Sequence, residues 1–187
     1  MLLLEITSFL VIDGKNKKMK IGLNIKLGLL LGSLNCLMWY ILAVTKGFYV
    51  IEVYIYRNYI TFAMLVSGVI LSIYFLKRKN QGFLDFKEAI KTGLIYTFVF
   101  ALILSIFNYI YYHYISPDTI DFFLSEAKNK LIENKVKPQD IPFYLNSERN
   151  NFSSLKLLPP VLFFGLISSL ITGALLRKSD PHKFSAN

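Results

Sequence analysis

The chain is 187 residues long, 54% apolar and only 18% charged, with a formal net charge of +9 and a mean hydropathy of +0.46. That length fits one domain, but a soluble domain would carry about a quarter charged residues and seldom a positive mean hydropathy. Long apolar blocks alternate with short lysine-rich stretches, so the positive charge flanks membrane spans and does not point to nucleic acid.

Residues 1–12 are apolar but too short to span; they contain Glu5 and lack the basic leader of a signal peptide. A polar run over 13–18 follows, and Met19-Lys20 then leads towards the first long apolar block. Residues 1–18 therefore read as an N-terminal extension upstream of a natural start at Met19, the alternative being a short interfacial segment. Four blocks are long enough to cross a bilayer, at 27–45, 59–76, 93–115 and 160–176, and none contains Asp, Glu, Lys or Arg. At about 1.5 Å per residue each covers about 25–35 Å, against a hydrocarbon core of about 30 Å. The expected fold class is all-α: four transmembrane helices in a single domain over 19–187.

The connection between the second and third spans predicts a helix start. Asp85 can cap the amide three residues on while Glu88 reaches back, with Leu84 and Ala89 at the staple positions. A helix from Phe86 through Ile115 would be about 45 Å long, so its ends must project or the helix must tilt. The outer connection, 116–156, is an amphipathic helical insertion. Ser116-Pro117-Asp118 is a helix start. Ile120, Phe123, Leu124, Ala127, Leu131 and Ile132 recur at helical spacing, and Pro138 stops the run. The stripe must cover something, either the lipid interface or the outer mouth of the bundle. A second short helix is expected around 142–150.

Flanking charge sets the orientation. Lys15, Lys17, Lys18, Lys20 and Lys26 precede the first span, Lys77, Arg78, Lys79, Lys87 and Lys91 fill the second connection, and Arg177, Lys178 and Lys183 lie in the tail. The first connection has only Lys46 and Arg57 as basic residues, and the third balances its own with six acids. By the positive-inside rule both termini are expected in the cytoplasm. Tyr40, Tyr49, Tyr54, Tyr56, Tyr59, Tyr109, Tyr111, Tyr112, Tyr114 and Tyr144 then fall near the outer interface, where amphipathic rings prefer to sit. Lysine far exceeds arginine, and Asn, Ile, Tyr and Phe are common, a bias expected of an AT-rich bacterial genome.

Small residues recur every fourth position at Gly28/Gly32, Gly68/Ser72 and Gly165/Ser169/Gly173. Such rows let helices approach closely, within the monomer or across a dimer. Polar residues inside the spans include Asn35, Thr61, Ser67, Thr97, Ser105, Asn108, Ser168 and Thr172, all neutral and suited to interhelical hydrogen bonds more than to ion coupling. His113 sits among tyrosines and reads as a belt residue, and His182 lies in the polar tail. Cys36, the single cysteine, lies within an apolar span. No catalytic, cofactor-binding or metal-binding residues are assigned, because no HExxH, GxSxG, GxGxxG or Walker A pattern occurs.

Two stretches carry a resemblance: residues 82–93, GFLDFKEAIKTG, and residues 111–118, YYHYISPD, placed at either end of a long third span. With the lysine-rich start into a glycine-containing span, this layout resembles a family of small bacterial membrane proteins known as domain of unknown function 4199, over roughly 19–176. The resemblance implies four spans with an insertion before the last, and no residue roles.

The sequence therefore leads to a multi-pass protein of the bacterial inner membrane that requires no cofactor. It is expected to be non-enzymatic and to act as an accessory or scaffold subunit, in contact with the bilayer and with a membrane protein partner or a homo-oligomer. The alternative is a transporter or channel component.

Overall fold

The computed structural model describes residues 22–46 and 51–178; the extension over 1–18, Tyr49, His182 and Lys183 lie outside them. The helices are α1 (Leu23–Lys46), α2 (Ile51–Lys79), α3 (Phe86–Ile110), α4 (Asp118–Glu133), α5 (Ile141–Asn151) and α6 (Leu158–Leu176). A π turn, Tyr111–Ile115, prolongs α3, and a 3-10 turn, Ser154–Leu157, precedes α6. A chain in hydrocarbon must satisfy every backbone amide internally, which long helices do.

The four membrane-length segments run Leu23–Thr45, Ile55–Lys79, Phe86–Ile115 and Leu155–Leu176. Each is longer than its uncharged block. Lysine and arginine stems can lie along apolar surface while their heads reach water, so a helix continues past its last uncharged residue. Lys77, Arg78 and Lys79 accordingly stay within the last turn of α2, where cations also complement the helix dipole.

α3 is the axis of the bundle, packed against α1, α2 and α6. Its buried positions Ala89, Gly93, Tyr96, Thr97, Phe100, Ala101, Leu104, Ser105 and Asn108 run at helical spacing down its length. The small-residue rows all turn towards it. A Cβ on Gly28 or Gly32 would crowd Val99 or Ile103, and one on Gly68 would overlap the ring of Tyr96. Gly165 meets Thr97, Ser169 meets Gly93, and Gly173 meets Ala89. The glycines of these rows are spent on packing within the monomer. The outward faces expose Leu30, Leu37, Ile41, Phe62, Phe98, Ile106, Phe163 and Ile171, a belt that only lipid tails can solvate. This is a multi-pass membrane protein.

The beginning of α1, the end of α2, the start of α3 and the end of α6 share one end of the bundle, here the lysine end; the other is the aromatic end. At the lysine end α2 closes through Gln81 (φ 55°) and Gly82 (φ 92°), with the Gly82 amide donating to the Lys77 carbonyl at 2.9 Å. Leu84, 1% exposed, then exchanges two backbone hydrogen bonds with Lys178, at 2.8 and 3.2 Å. That bridge fastens the α2–α3 connection to the end of α6.

Local capping departs from expectation. The Asp85 carboxylate accepts from the Lys87 amide at 3.4 Å, two residues on. Glu88 does not reach back to the cap and instead accepts from Asn80 Nδ2 at 3.3 Å, tying the α2 end to α3. At the other corner the Ser116 and Thr119 hydroxyls pair with each other at 2.7 Å. α4 ends before Pro138, because Lys135 (φ 56°) turns the chain and the Val136 amide donates to the Leu131 carbonyl at 3.0 Å, a Schellman closure.

Candidate functional site

Of the neutral polar residues inside the spans, Asn35 and Thr61 link helices, whereas Ser67, Thr97 and Ser168 bond within their own. Thr61 on α2 donates to Asn35 Oδ1 on α1 at 3.2 Å, and Asn35 Nδ2 lies 3.5 Å from the Met64 sulfur. The Tyr96 hydroxyl on α3 donates to the Met64 carbonyl at 2.9 Å, which Ser67 Oγ also approaches at 3.2 Å. Asn35, Thr61, Met64 and Tyr96 therefore stitch α1 to α2 and α2 to α3, the last link through the Met64 main chain. Such bonds are worth about 0.6 kcal/mol each on average in a bilayer, so they set register more than stability. Thr97, Ser168 and Ser169 turn back onto carbonyls of their own helices. Tyr96 is wholly buried, a polar interior residue that the sequence reading missed. Its partner glycine, Gly68, was the available signal.

The aromatic end holds a second core, built from Trp39, Tyr111 and Tyr112 with Leu42, Phe107, Ile120 and Phe152 packed around them. Trp39 meets Tyr111 at 4.1 Å and Phe107 at 5.0 Å between ring centroids. The guanidinium of Arg57 stands 4.9 Å from the Trp39 ring centroid. Arg57, read from sequence as part of a loop, is in fact helical and lies just inside the second membrane-length segment. A cation over an aromatic face gains about 0.5–2 kcal/mol depending on desolvation. Tyr111 and Tyr112 are corrections to the aromatic belt, since both are buried, whereas Tyr56, Tyr59 and Tyr114 are exposed as expected. The physical reason is that α3 is the central helix, so its inward face remains interior where the outer helices face lipid. His113 is exposed on the π turn; its Nδ1 donates to the Tyr109 carbonyl at 2.9 Å, and its ring stacks on Tyr109 at 4.3 Å.

From this cap α4 and α5 project as a hairpin. Ile120 packs on the Trp39–Tyr111–Tyr112 cluster, Phe123 meets Phe152 at 6.0 Å, and Phe152 meets Tyr112 at 5.4 Å. Farther along, Leu124 and Leu145 of α5 line an open cleft of about 460 Å³ between the two helices, together with Asp121 and Arg149, which lie 3.5 Å apart. The stripe on α4 is therefore divided between the bundle mouth and α5. Ile132 is exposed and belongs to neither, as are Phe143 and Tyr144. The second short helix spans Ile141–Asn151, close to its expected place. Among the described residues no group of three or more His, Cys, Asp or Glu side chains is placed to hold a metal ion.

The two stretches that carried the resemblance bracket α3: one supplies its cap and the clamp to α6, the other its π turn and the corner into α4. The model of a family described as "Protein of unknown function (DUF4199)" matches residues 26–178. The chain belongs to that family. No curated protein and no solved structure matches it. DUF4199 membership thus covers the whole bundle and hairpin without assigning a role to any residue.

Proposed function

We propose that this DUF4199 protein is a non-enzymatic accessory or scaffold subunit of a bacterial inner membrane, with both termini cytoplasmic, and that it holds a protein partner through the α4–α5 hairpin. The observation that carries this reading is the hairpin itself. It is seated on the aromatic cap at its base, yet Ile132 is 54% exposed, Phe143 75% and Tyr144 46% towards its far end. Covering a Phe or Leu side chain is worth about 1.5–3 kcal/mol, so the exposed tip and α5 surface offer a partner enough apolar area for specific attachment. The lysine distribution supports the orientation: Lys26, Lys77, Arg78, Lys79, Lys87, Lys91, Arg177 and Lys178 gather at one end against Asp85 and Glu88, the arrangement that the positive-inside rule keeps in the cytoplasm.

A photo-crosslinking residue at position 143 tests the reading in native membranes. The expected result is one discrete protein adduct, recovered at near-equal stoichiometry and lost when Tyr144 is also changed to Ser. Adducts to lipid alone, or ion or solute flux through the purified chain in vesicles, would overturn it in favour of a surface-lying hairpin or a transport component.

A further inference from the structure

At the lysine end a cleft of about 340 Å³ opens between the beginning of α1, the end of α2 and the first turns of α3, lined among others by Asn24, Ser72, Phe75, Leu76, Arg78 and Lys79. Its floor carries Ser72, 2% exposed, which with Ser105 is one of two buried serines whose hydroxyls have no hydrogen-bond partner among the described residues. Ser67 and Ser168, by contrast, satisfy their hydroxyls on carbonyls of their own helices. A buried hydroxyl without an acceptor costs about 1–3 kcal/mol. Its position therefore calls for an acceptor delivered from the cleft.

The rim has the opposite demand. Arg78 and Lys79 stand exposed at the mouth, and α1 begins there with no acidic residue in its first turn, so no carboxylate of that turn offsets its positive dipole end. Asn24 Oδ1 is taken by the Ile25 amide at 3.1 Å, which leaves its Nδ2 amide as a donor. Between rim and floor, the partly buried Phe75 and Leu76 supply an apolar wall packed against the main core. Ser72 lies seven residues before Lys79, about 10 Å along the helix.

We propose that this cleft binds an anionic membrane phospholipid, its headgroup phosphate held by Arg78, Lys79 and Asn24 and a glycerol-ester carbonyl accepting from Ser72. The vertical order of donors, cation above and neutral hydroxyl below with an apolar wall between, matches a phosphodiester on a glycerol ester. A free phosphate would satisfy the rim and leave Ser72 as it is. This site lies at the opposite end from the hairpin and does not depend on the reading of that hairpin.

The test uses the full chain purified in detergent and titrated with phosphatidylglycerol, phosphatidylcholine or inorganic phosphate under native mass spectrometry, with thermal unfolding followed in parallel. The expected result is one phosphatidylglycerol retained in preference to phosphatidylcholine and not displaced by millimolar phosphate. Arg78→Gln with Lys79→Gln should weaken it at least about tenfold, while Lys87→Gln with Lys91→Gln, an equal loss of charge on a neighbouring face, should leave it nearly unchanged. Ser72→Ala should unfold no earlier than the parent without lipid, because it deletes an unsatisfied group, but should gain less from added phosphatidylglycerol. Equal weakening by the two double variants, no preference over phosphatidylcholine, displacement by inorganic phosphate, or an undiminished lipid gain in Ser72→Ala would each overturn the proposal.

Discussion

Tyr96 and Gly68 show how closely single residues are matched in this bundle. The Tyr96 ring lies wholly inside, stacked 5.7 Å from Phe100, and its hydroxyl is anchored on Met64. It fits only because Gly68 has no side chain, since an added Cβ would overlap the ring at several atoms. At Gly32 an added Cβ would sit 3.1 Å from Ile103 Cβ, a contact that small shifts relieve. Gly68→Ala is therefore expected to destabilise by about 1–3 kcal/mol, the usual range for overpacking, and Gly32→Ala by distinctly less. Thermal unfolding in detergent ranks the two. Equal midpoints would mean that Tyr96 is not held where the hydrogen bond to Met64 places it.

α4 is amphipathic on its own, but its neighbours divide the work of covering it. Ile120 is spent on the aromatic cap and Leu124 lines the cleft between α4 and α5, while the Asp121–Arg149 pair between exposed groups contributes at most about 1 kcal/mol. Apolar packing, not charge, should then hold the hairpin together. Replacing Phe123, Leu124 and Leu131 together with Ser is expected to separate α4 from α5 and to raise protease sensitivity between Asp118 and Asn151 from the outer side, with membrane insertion unchanged. Protease resistance equal to that of the parent would show that this stripe does not secure the hairpin.

For the molecule as a whole, the lysine end should lie in the cytoplasm, so a C-terminal fusion to a reporter active only inside should work and one active only outside should not. The reverse pattern would invert the bundle. Because the four membrane-length segments found among the described residues start at Leu23, a chain started at Met19 is expected to insert and unfold like the parent, measured as membrane-integrated yield and thermal midpoint. A large loss on both measures would make residues 1–18 structural.

The four spans, the helical class and the insertion were legible from residues 22–178 because a bilayer imposes one demand on every span: apolar side chains outside and hydrogen bonds closed within. Helix ends were less legible, since Lys77, Arg78 and Lys79 continue α2 where a count of uncharged residues stops it. The glycine rows announced close packing in the sequence, but only the tertiary structure directed them all at α3, since one-dimensional spacing carries no information about which helix is adjacent. The same holds for Tyr111 and Tyr112, indistinguishable in sequence from belt tyrosines and buried because α3 is surrounded. Arg57 over Trp39 and the Ser72 cleft likewise unite residues far apart in the chain. Membrane solvation acts on each segment by itself and is written along the sequence; adjacency arises only when the helices pack, and the candidate sites of this protein are made of adjacency.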